Sequence, residues 1–390
     1  MLKKEAPRPA IPYGRQTIED DDIQAVIDVL KSDRLTQGDQ VGLFEAALAA
    51  YCGARYAVAC SSGTAALHLA YLAAGIGEAD AMITSPLSFI ATANAARYVG
   101  AMPVFADVDP ASGNIDPGKI EAALSTSRKQ KIKAIVPVHY GGFPCDMEAI
   151  AAIAAKHDLV VIEDACHALG AEAKGRKVGS ISALTVFSFH PVKLITTGEG
   201  GAVVTNDKNL YRRLQQMKSH GVVRDHFINA ADGPWYYEMQ ALGFNYRITD
   251  FQAALGNAQL KKIKRFIAAR REIAARYDAA FSSHPLFEIP IEKEGAFSAY
   301  HLYPIRLKDP SIAKKAALFE QLKAKGIAAQ VHYIPIYLQP YYQQLGYRRG
   351  LCPDAEDFYA REISLPIYPA MKPEDIAYVI DTLNARVGAC

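Results

Sequence analysis

Three short segments place reactive side chains in apolar surroundings. In VVIEDACHALGA, Asp164 follows directly on an apolar run that reads as a buried strand. In parallel α/β sheets the carboxyl ends of the strands face the ligand crevice. A carboxylate there is costly unless something cationic meets it. Taken alone, the segment favours a plainer reading, an aspartate capping the helix that follows. In TVFSFHPVKLITTGEGGAVVTN, Lys193 stands just past another apolar strand, among Val192, Leu194 and Ile195. A single lysine is ordinarily a solvated surface charge. Held among apolar groups it loses basicity and becomes a nucleophile toward carbonyl carbon. Gly198, Gly200 and Gly201 let backbone approach something closely, although a simple turn would use the same residues. In CSSGTAALHLA a strand ends in Ser-Ser-Gly-Thr and enters a helix. Free N–H groups at such a start bind anions. That signal is weak alone, and neither GxGxxG nor GxxxxGK[ST] is present, so dinucleotide and P-loop readings have no support.

These residues need a frame. Apolar runs at Tyr56–Cys60, Met82–Ser85, Pro103–Phe105, Ala134–Val138, Leu159–Glu163 and Leu184–Phe189 predict strands. Helical patterns alternate with them, at 41–51, from Ser62, near 89–98 and at Met147–His157. That alternation predicts a largely parallel sheet covered on both faces. Thr17 and the acidic run Glu19–Asp22 open a first helix, with Ile23, Val26, Ile27 and Leu30 at helical spacing. Residues 1–16, with three prolines, read as an extended arm. A long helix is expected from 249 to 281. Beyond it come a strand at His301–Leu307, a helix at Lys314–Lys325 stopped by Gly326, a strand at Ala328–Tyr333 and a helix at Pro373–Arg386. The fold class is therefore α/β, with a large domain at 1–255 and a smaller α+β domain at 256–390.

Composition removes other classes. Among 390 residues, 50% are hydrophobic and 22% charged, as in ordinary globular proteins. With 43 Lys+Arg against 41 Asp+Glu, the net charge of +2 gives no basic footprint for nucleic acid. The six cysteines form no CxxC pair and no disulfide framework, which predicts reduced thiols and no metal site. No run is long and apolar enough to span a membrane. MLKKEAPRPAIPYG lacks the apolar core of a secretory signal, which points to a cytoplasmic enzyme.

Together the three segments are stronger than any one of them. A nest of N–H and hydroxyl donors, an aromatic at Phe89, a carboxylate at Asp164 and a lysine at Lys193 are what pyridoxal 5'-phosphate requires. They supply its phosphate site, a face for its ring, a partner for its pyridine nitrogen and an amine for its aldehyde.

The motifs SSGTAAL, SFIATANA, EDACHALGA, FSFHPVKLITTGEGGAVVTN, SHG, GFNYRITDFQAALG and QVHYIPIY occur in order along the chain. In them the sequence resembles the DegT/StrS-type nucleotide-sugar aminotransferases, which are fold-type I pyridoxal-phosphate enzymes. LTQG, PVFADV with GNID, AQVHYIPIY and AEDFYAREIS liken it in particular to members acting in pseudaminic acid synthesis. The resemblance implies that Lys193 carries the cofactor, Asp164 holds the pyridine nitrogen and His167 lies near the ring's 3-oxygen. It implies that Phe89 stacks on the ring and that Ser62, Gly63, Thr64 and Ser188 bind the phosphate. Asn245 would reach the cofactor of the other subunit, making a homodimer with shared sites. Thr36, Gln37, His332 and Tyr333 would face the substrate. From the residues alone, Phe89 and His332 read as core side chains. The implied reaction moves an amino group from glutamate to C4 of a UDP-linked 4-keto-6-deoxy-N-acetylhexosamine. A sugar dehydratase of similar sequence would carry histidine in place of Lys193, and a non-catalytic relative would lack Asp164 or Lys193.

Overall fold

The computed structural model describes residues 9–127 and 131–385. Residues 1–8 of the expected arm lie outside them. The main sheet is built from β1 (Tyr56–Cys60), β2 (Asp80–Thr84), β3 (Met102–Phe105), β4 (Lys131–Val136), β5 (Val160–Asp164), β6 (Leu184–Ser188) and β7 (Gly201–Thr205). Its order is β1-β7-β6-β5-β4-β2-β3. The pairs from β6 to β3 are parallel, whereas β7 runs antiparallel to both β6 and β1. This is the expected α/β architecture of a fold-type I transferase. The parallel strands are short and nearly all apolar because both faces are covered.

The helices of this part are α1 (Asp20–Leu30), α2 (Asp39–Cys52), α3 (Gly63–Ala73), α4 (Ala91–Tyr98), α5 (Pro117–Thr126), α6 (Met147–Lys156) and α7 (Lys208–Met217). Strand alternation sends neighbouring residues to opposite faces. Val186 packs with Leu67, Tyr71 and Met82 on the α3 face. Phe187 packs with Phe44, Leu48 and Phe266 on the face covered by α2 and the long helix α8 (Asp250–Phe281).

α8 begins where Thr249 and Gln252 form a capping box. Its first half buries Ala253, Leu260 and Ile263 against the main sheet. Its second half buries Ile273, Tyr277 and Phe281 in another core with Tyr303, Ile305 and Leu365. That core lies on a second sheet, β8 (Phe287–Glu288), β9 (Tyr303–Leu307) and β10 (Glu362–Leu365), with β9 in the centre. α9 (Ile312–Ala324), α10 (Pro340–Gln344), α11 (Pro353–Arg361) and α12 (Pro373–Asn384) complete the C-terminal part. Between the two cores lies Arg270, 1% exposed, whose Nη1 donates to the carbonyls of Tyr300, His301 and Ile367.

Two expectations need correction. Residues 328–333 do not form a strand. Only an isolated bridge joins Gln330 to Ser364, and the chain then leaves the ladder to place Tyr333 elsewhere. α1 exists, but its apolar stripe is not the buried one. Ile23 is 49% and Leu30 55% exposed, while Asp22 and Val29 are buried. The reason is electrostatic: Lys262 of α8 meets Asp22 and Asp21 at 2.7 Å each, and Gln259 Nε2 donates to Asp22 at 2.8 Å. The acidic first turn is thereby held against α8. Among the described residues no helix is long and apolar enough to cross a membrane.

Candidate active site

The carboxyl ends of β5 and β6 and the start of α3 converge on one place. Asp164, the last residue of β5, is 4% exposed. Its Oδ2 accepts the Thr92 hydroxyl at 2.6 Å, and its Oδ1 accepts the Cys166 N–H at 3.2 Å. The capping reading fails, because residues 165–170 form turns and no helix follows. The carboxylate is instead fixed by two donors that leave further lone pairs to accept from a bound group.

Opposite it, α3 starts at Gly63 with Ser62 as its cap, the Ser62 hydroxyl accepting the Ala65 N–H at 3.0 Å. Ala66 N–H bonds the Ser62 carbonyl, so the N–H groups of Gly63 and Thr64 head the helix without helical partners. Ser188, at the end of β6, faces Gly63 closely: a Cβ on Gly63 would lie 2.8 Å from Ser188 Cβ. Gly201 explains part of the glycine cluster, since a Cβ there would lie 2.4 Å from the Ser62 carbonyl oxygen. Both glycines allow that close approach, which brings the Ser188 hydroxyl to the start of α3 and gathers these groups into one polar cradle. The Ser62 and Ser188 hydroxyls still have protons to donate into it. Small hydroxyls and unpaired N–H groups at a helix start suit a phosphate.

Lys193 is half-buried on the turn after β6. Burial lowers its basicity, while Cys166 and Asp164 oppose that change. His167 is buried, with its Nε2 3.0 Å from the Tyr333 hydroxyl and its Nδ1 without a partner. Burial holds its pKa well below the ordinary imidazole range, and any positive charge on neighbouring Lys193 or His332 would lower it further. The His301 ring lies 4.4 Å from the His167 ring, and its Nδ1 is also unpartnered. Burial keeps His301 neutral too, with His167 and Lys193 contributing. Buried polar atoms without partners are uncommon in native proteins and call for an explanation. Here two of them flank a lysine and an anchored carboxylate, beside a phosphate cradle. A substituted pyridine bearing a phosphate, a ring oxygen and an aldehyde matches this set of donors and acceptors.

The other expected residues fall into two groups. Phe89 is 58% exposed, so it is not the core residue that its type suggests. With Tyr333, Tyr98 and Tyr341 it lines an open cleft of about 710 Å³. His332 is buried, its Nδ1 2.8 Å from the Ser364 hydroxyl and its N–H donated to Glu362 at 2.7 Å. Burial lowers its pKa to about 3. Thr36, Gln37 and Asn245 are exposed, and none is in hydrogen-bond contact with Lys193, Asp164 or His167 of the same chain. The Thr36–Gln37 loop is clamped by Asp250, which accepts from the N–H groups of Gly38 at 2.8 Å and Gln40 at 3.0 Å. Two residues of this site, Thr92 and His301, went unnoticed in the sequence. Thr92 lay inside the SFIATANA motif, where a threonine at a helix start attracts no attention.

The sequence profile of the DegT/DnrJ/EryC1/StrS aminotransferase family matches residues 16–384. The chain is 43% identical over 373 residues, 96% of both chains, to a UDP-4-amino-4,6-dideoxy-N-acetyl-beta-L-altrosamine transaminase of Campylobacter jejuni. It is 41% identical over 96% of both chains to the spore coat polysaccharide biosynthesis protein SpsC of Bacillus subtilis. Among solved structures it is similar to Helicobacter pylori PseC, an aminotransferase involved in the biosynthesis of pseudaminic acid. There the TM-score is 0.90 and the identity 37%, covering 98% of this chain and 100% of the other.

Proposed function

Because the chain belongs to the DegT/DnrJ/EryC1/StrS aminotransferase family and is a pyridoxal-phosphate-dependent nucleotide-sugar aminotransferase, we propose that it transfers an amino group from glutamate to C4 of a UDP-linked 4-keto-6-deoxy-N-acetylhexosamine. The proposed sugar is UDP-2-acetamido-2,6-dideoxy-beta-L-arabino-hex-4-ulose, and the setting is pseudaminic acid synthesis in the cytoplasm. The observation that carries the substrate is full-length likeness, 43% identity over 96% of both chains, to a transaminase named for that amino sugar. The likeness to SpsC favours a second reading, in which the keto sugar is a different one.

Bound pyridoxal phosphate supplies an electron sink for the carbon that carries the amine. The rest is the work of this chain's residues. Lys193 is assigned the role of cofactor anchor. With the cofactor bound, the Lys193 Nζ would take the proton from the amino acid's α-carbon and deliver one to C4 of the sugar, a role that suits an amine whose basicity burial lowers. Asp164 is assigned to the pyridine nitrogen, which it keeps protonated, and His167 to the ring oxygen. Ser62, Gly63, Thr64 and Ser188 are assigned to the phosphate and Phe89 to the face of the ring. Thr36, Gln37, His332 and Tyr333 are assigned to substrate. We draw the two domains as meeting on α8.

The proposed homodimer brings Asn245 to the partner's cofactor. Exposed Ile18, Ile23, Leu30, Leu35 and Leu43 on and around α1 and α2 support a covered face there. Ile228, Trp235, Met239 and Leu242 on the segment leading to Asn245 are also exposed. Mixing inactive Lys193→Ala and Asn245→Ala subunits should restore part of the activity, because one site in each heterodimer then has neither defect. Confirmed heterodimers without activity would count against a shared site. The substrate is tested by incubating the enzyme with glutamate and a panel of UDP-4-keto-6-deoxy sugars while mass spectrometry follows amine formation. The expected product is the amine of the arabino-hexulose, and amination of another keto sugar alone would move the assignment.

A further inference from the structure

Thr92 and Ser88 have hydroxyls in the interior with no evident packing purpose. Thr92 is 1% and Ser88 4% exposed. Thr92 Oγ1 lies 2.6 Å from Asp164 Oδ2 and also 2.6 Å from Ser88 Oγ. A third acceptor, the Phe89 carbonyl, is farther away at 3.3 Å. A hydroxyl has one proton, and an ionised carboxylate only accepts. The short contact to Asp164 therefore claims the Thr92 proton. The Thr92 oxygen must then accept from Ser88, so the protons run in one direction, from Ser88 to Thr92 to Asp164. Such charge-assisted chains are shorter and stronger than neutral pairs. The backbone that carries Thr92 is itself fastened, because the buried Tyr71 hydroxyl donates to the Thr92 carbonyl at 2.9 Å. Ser88, at the far end, lines the cleft beside Phe89.

We propose that Thr92 is the positioning residue for Asp164, and that Ser88 sets the direction in which Thr92 donates. With the Cys166 N–H on Oδ1 and Thr92 on Oδ2, the carboxylate cannot turn about its last bond without losing a partner. The inference rests on the assignment of Asp164 to the cofactor's ring nitrogen. It concerns the aim of the carboxylate, and it assigns the Thr92 hydroxyl no contact with cofactor or substrate.

The test compares Thr92→Val, Thr92→Ser, Ser88→Ala and Asp164→Asn by three readouts. They are the dissociation constant of pyridoxal phosphate from apoprotein, the visible absorption spectrum of the loaded enzyme, and kcat with KM. Thr92→Val keeps the shape and removes the donor. It should lower kcat roughly ten- to a hundred-fold. It should also weaken cofactor binding and shift the visible band in the same direction as Asp164→Asn, while KM changes little. Thr92→Ser restores the donor and should return all three readouts to within about threefold of the native enzyme. Ser88→Ala should give the same spectral change, smaller. If Thr92→Val does not fold, Ser88→Ala carries the test, and an unchanged spectrum there overturns the relay. A native spectrum and kcat in Thr92→Val beside a damaged Asp164→Asn overturns the relay and leaves the Asp164 assignment standing. A native spectrum in Asp164→Asn removes that assignment and the relay with it.

Discussion

Glu163 and Asp164 are consecutive carboxylates at the end of one strand, both nearly or wholly buried, and they point to opposite faces of the sheet. Glu163 enters a closed network. Its Oε2 lies 2.8 Å from His139 Nε2, and its Oε1 accepts from the Thr185 hydroxyl at 3.0 Å and the Ser182 N–H at 3.2 Å. Burial opposes a charge on His139, whereas contact with Cys145 and Glu163 would by electrostatics alone raise its pKa. Geometry decides, because the Cys145 N–H points at His139 Nδ1 from 3.0 Å. Nδ1 must accept, so the imidazole is neutral and donates its Nε2 proton to Glu163. Every polar atom of this pair has a partner. On the Asp164 face the accounting stays open: His167 Nδ1 and His301 Nδ1 have no partner, and a half-buried amine stands nearby. Similar residue types at similar burial thus serve differently. A closed set of hydrogen bonds builds structure, and an incomplete one awaits a ligand.

The comparison is tested most severely at Lys193. Lys193→Ala should show no measurable turnover yet fold normally. Borohydride treatment of the native holoenzyme should fix the cofactor to this lysine, as peptide mapping can establish. An adduct on a different lysine would falsify the assignment. Next comes Asp164→Asn, which should lose roughly 10²-fold or more in kcat, as for removal of a charged stabiliser, with far less effect on substrate affinity. Steady-state kinetics measures both. Its neighbour should behave in the opposite way. Glu163→Gln sets an NH2 group against the His139 Nε2–H in place of an acceptor oxygen and should destabilise the fold by about 1–3 kcal/mol in urea unfolding. The fraction that remains folded should keep the cofactor's spectrum. If instead Glu163→Gln changes the spectrum and spares stability, the two faces have been read the wrong way round.

The smallest effect concerns pH. His167, His301 and His332 are held neutral, with folded pKa values below the unfolded value of about 6.5. Below that pH the unfolded chain binds protons that the folded chain refuses, so stability falls as pH drops. For His332 the loss begins near 6.5 and continues toward its folded value of about 3. The slope is on the order of 1 kcal/mol per pH unit for each such histidine. Urea unfolding of apoprotein at pH 7.5 and 5.5 should show it, and His332→Gln should flatten it. An equal slope in that variant would remove His332 from the account.

Strand positions were legible because burial on both faces leaves short unbroken apolar runs, as in AIVPV and LVVIE. α8 was legible because Phe251, Leu255, Ile263, Ile267, Ala274 and Tyr277 recur at helical spacing, and the structure adds a capping box of Thr249 and Gln252 at its start. Asp164 was ambiguous for a physical reason: a cap and a ligand-facing carboxylate have the same local sequence, and only the absence of a following helix separates them. The buried side of α1 could not be read, because a partner on α8, Lys262, outweighs its apolar periodicity. Thr92 was invisible because its partner lies 72 residues away. The 328–333 segment was misread because its residues favour a strand while the ladder offers them only Ser364.

α8 belongs to both cores, and Arg270 ties it to backbone from the loops on either side of the second sheet. At about 1.5 Å per residue, its 32 residues form a rod of about 48 Å. Neither core keeps a complete wall once that rod frays, since each would expose the apolar face it shares with the other. Melting should therefore be a single cooperative event. Damage at one end of the molecule, whether by proteolysis or by a cavity near Tyr277, would be felt at the other as lost occupancy of the folded state.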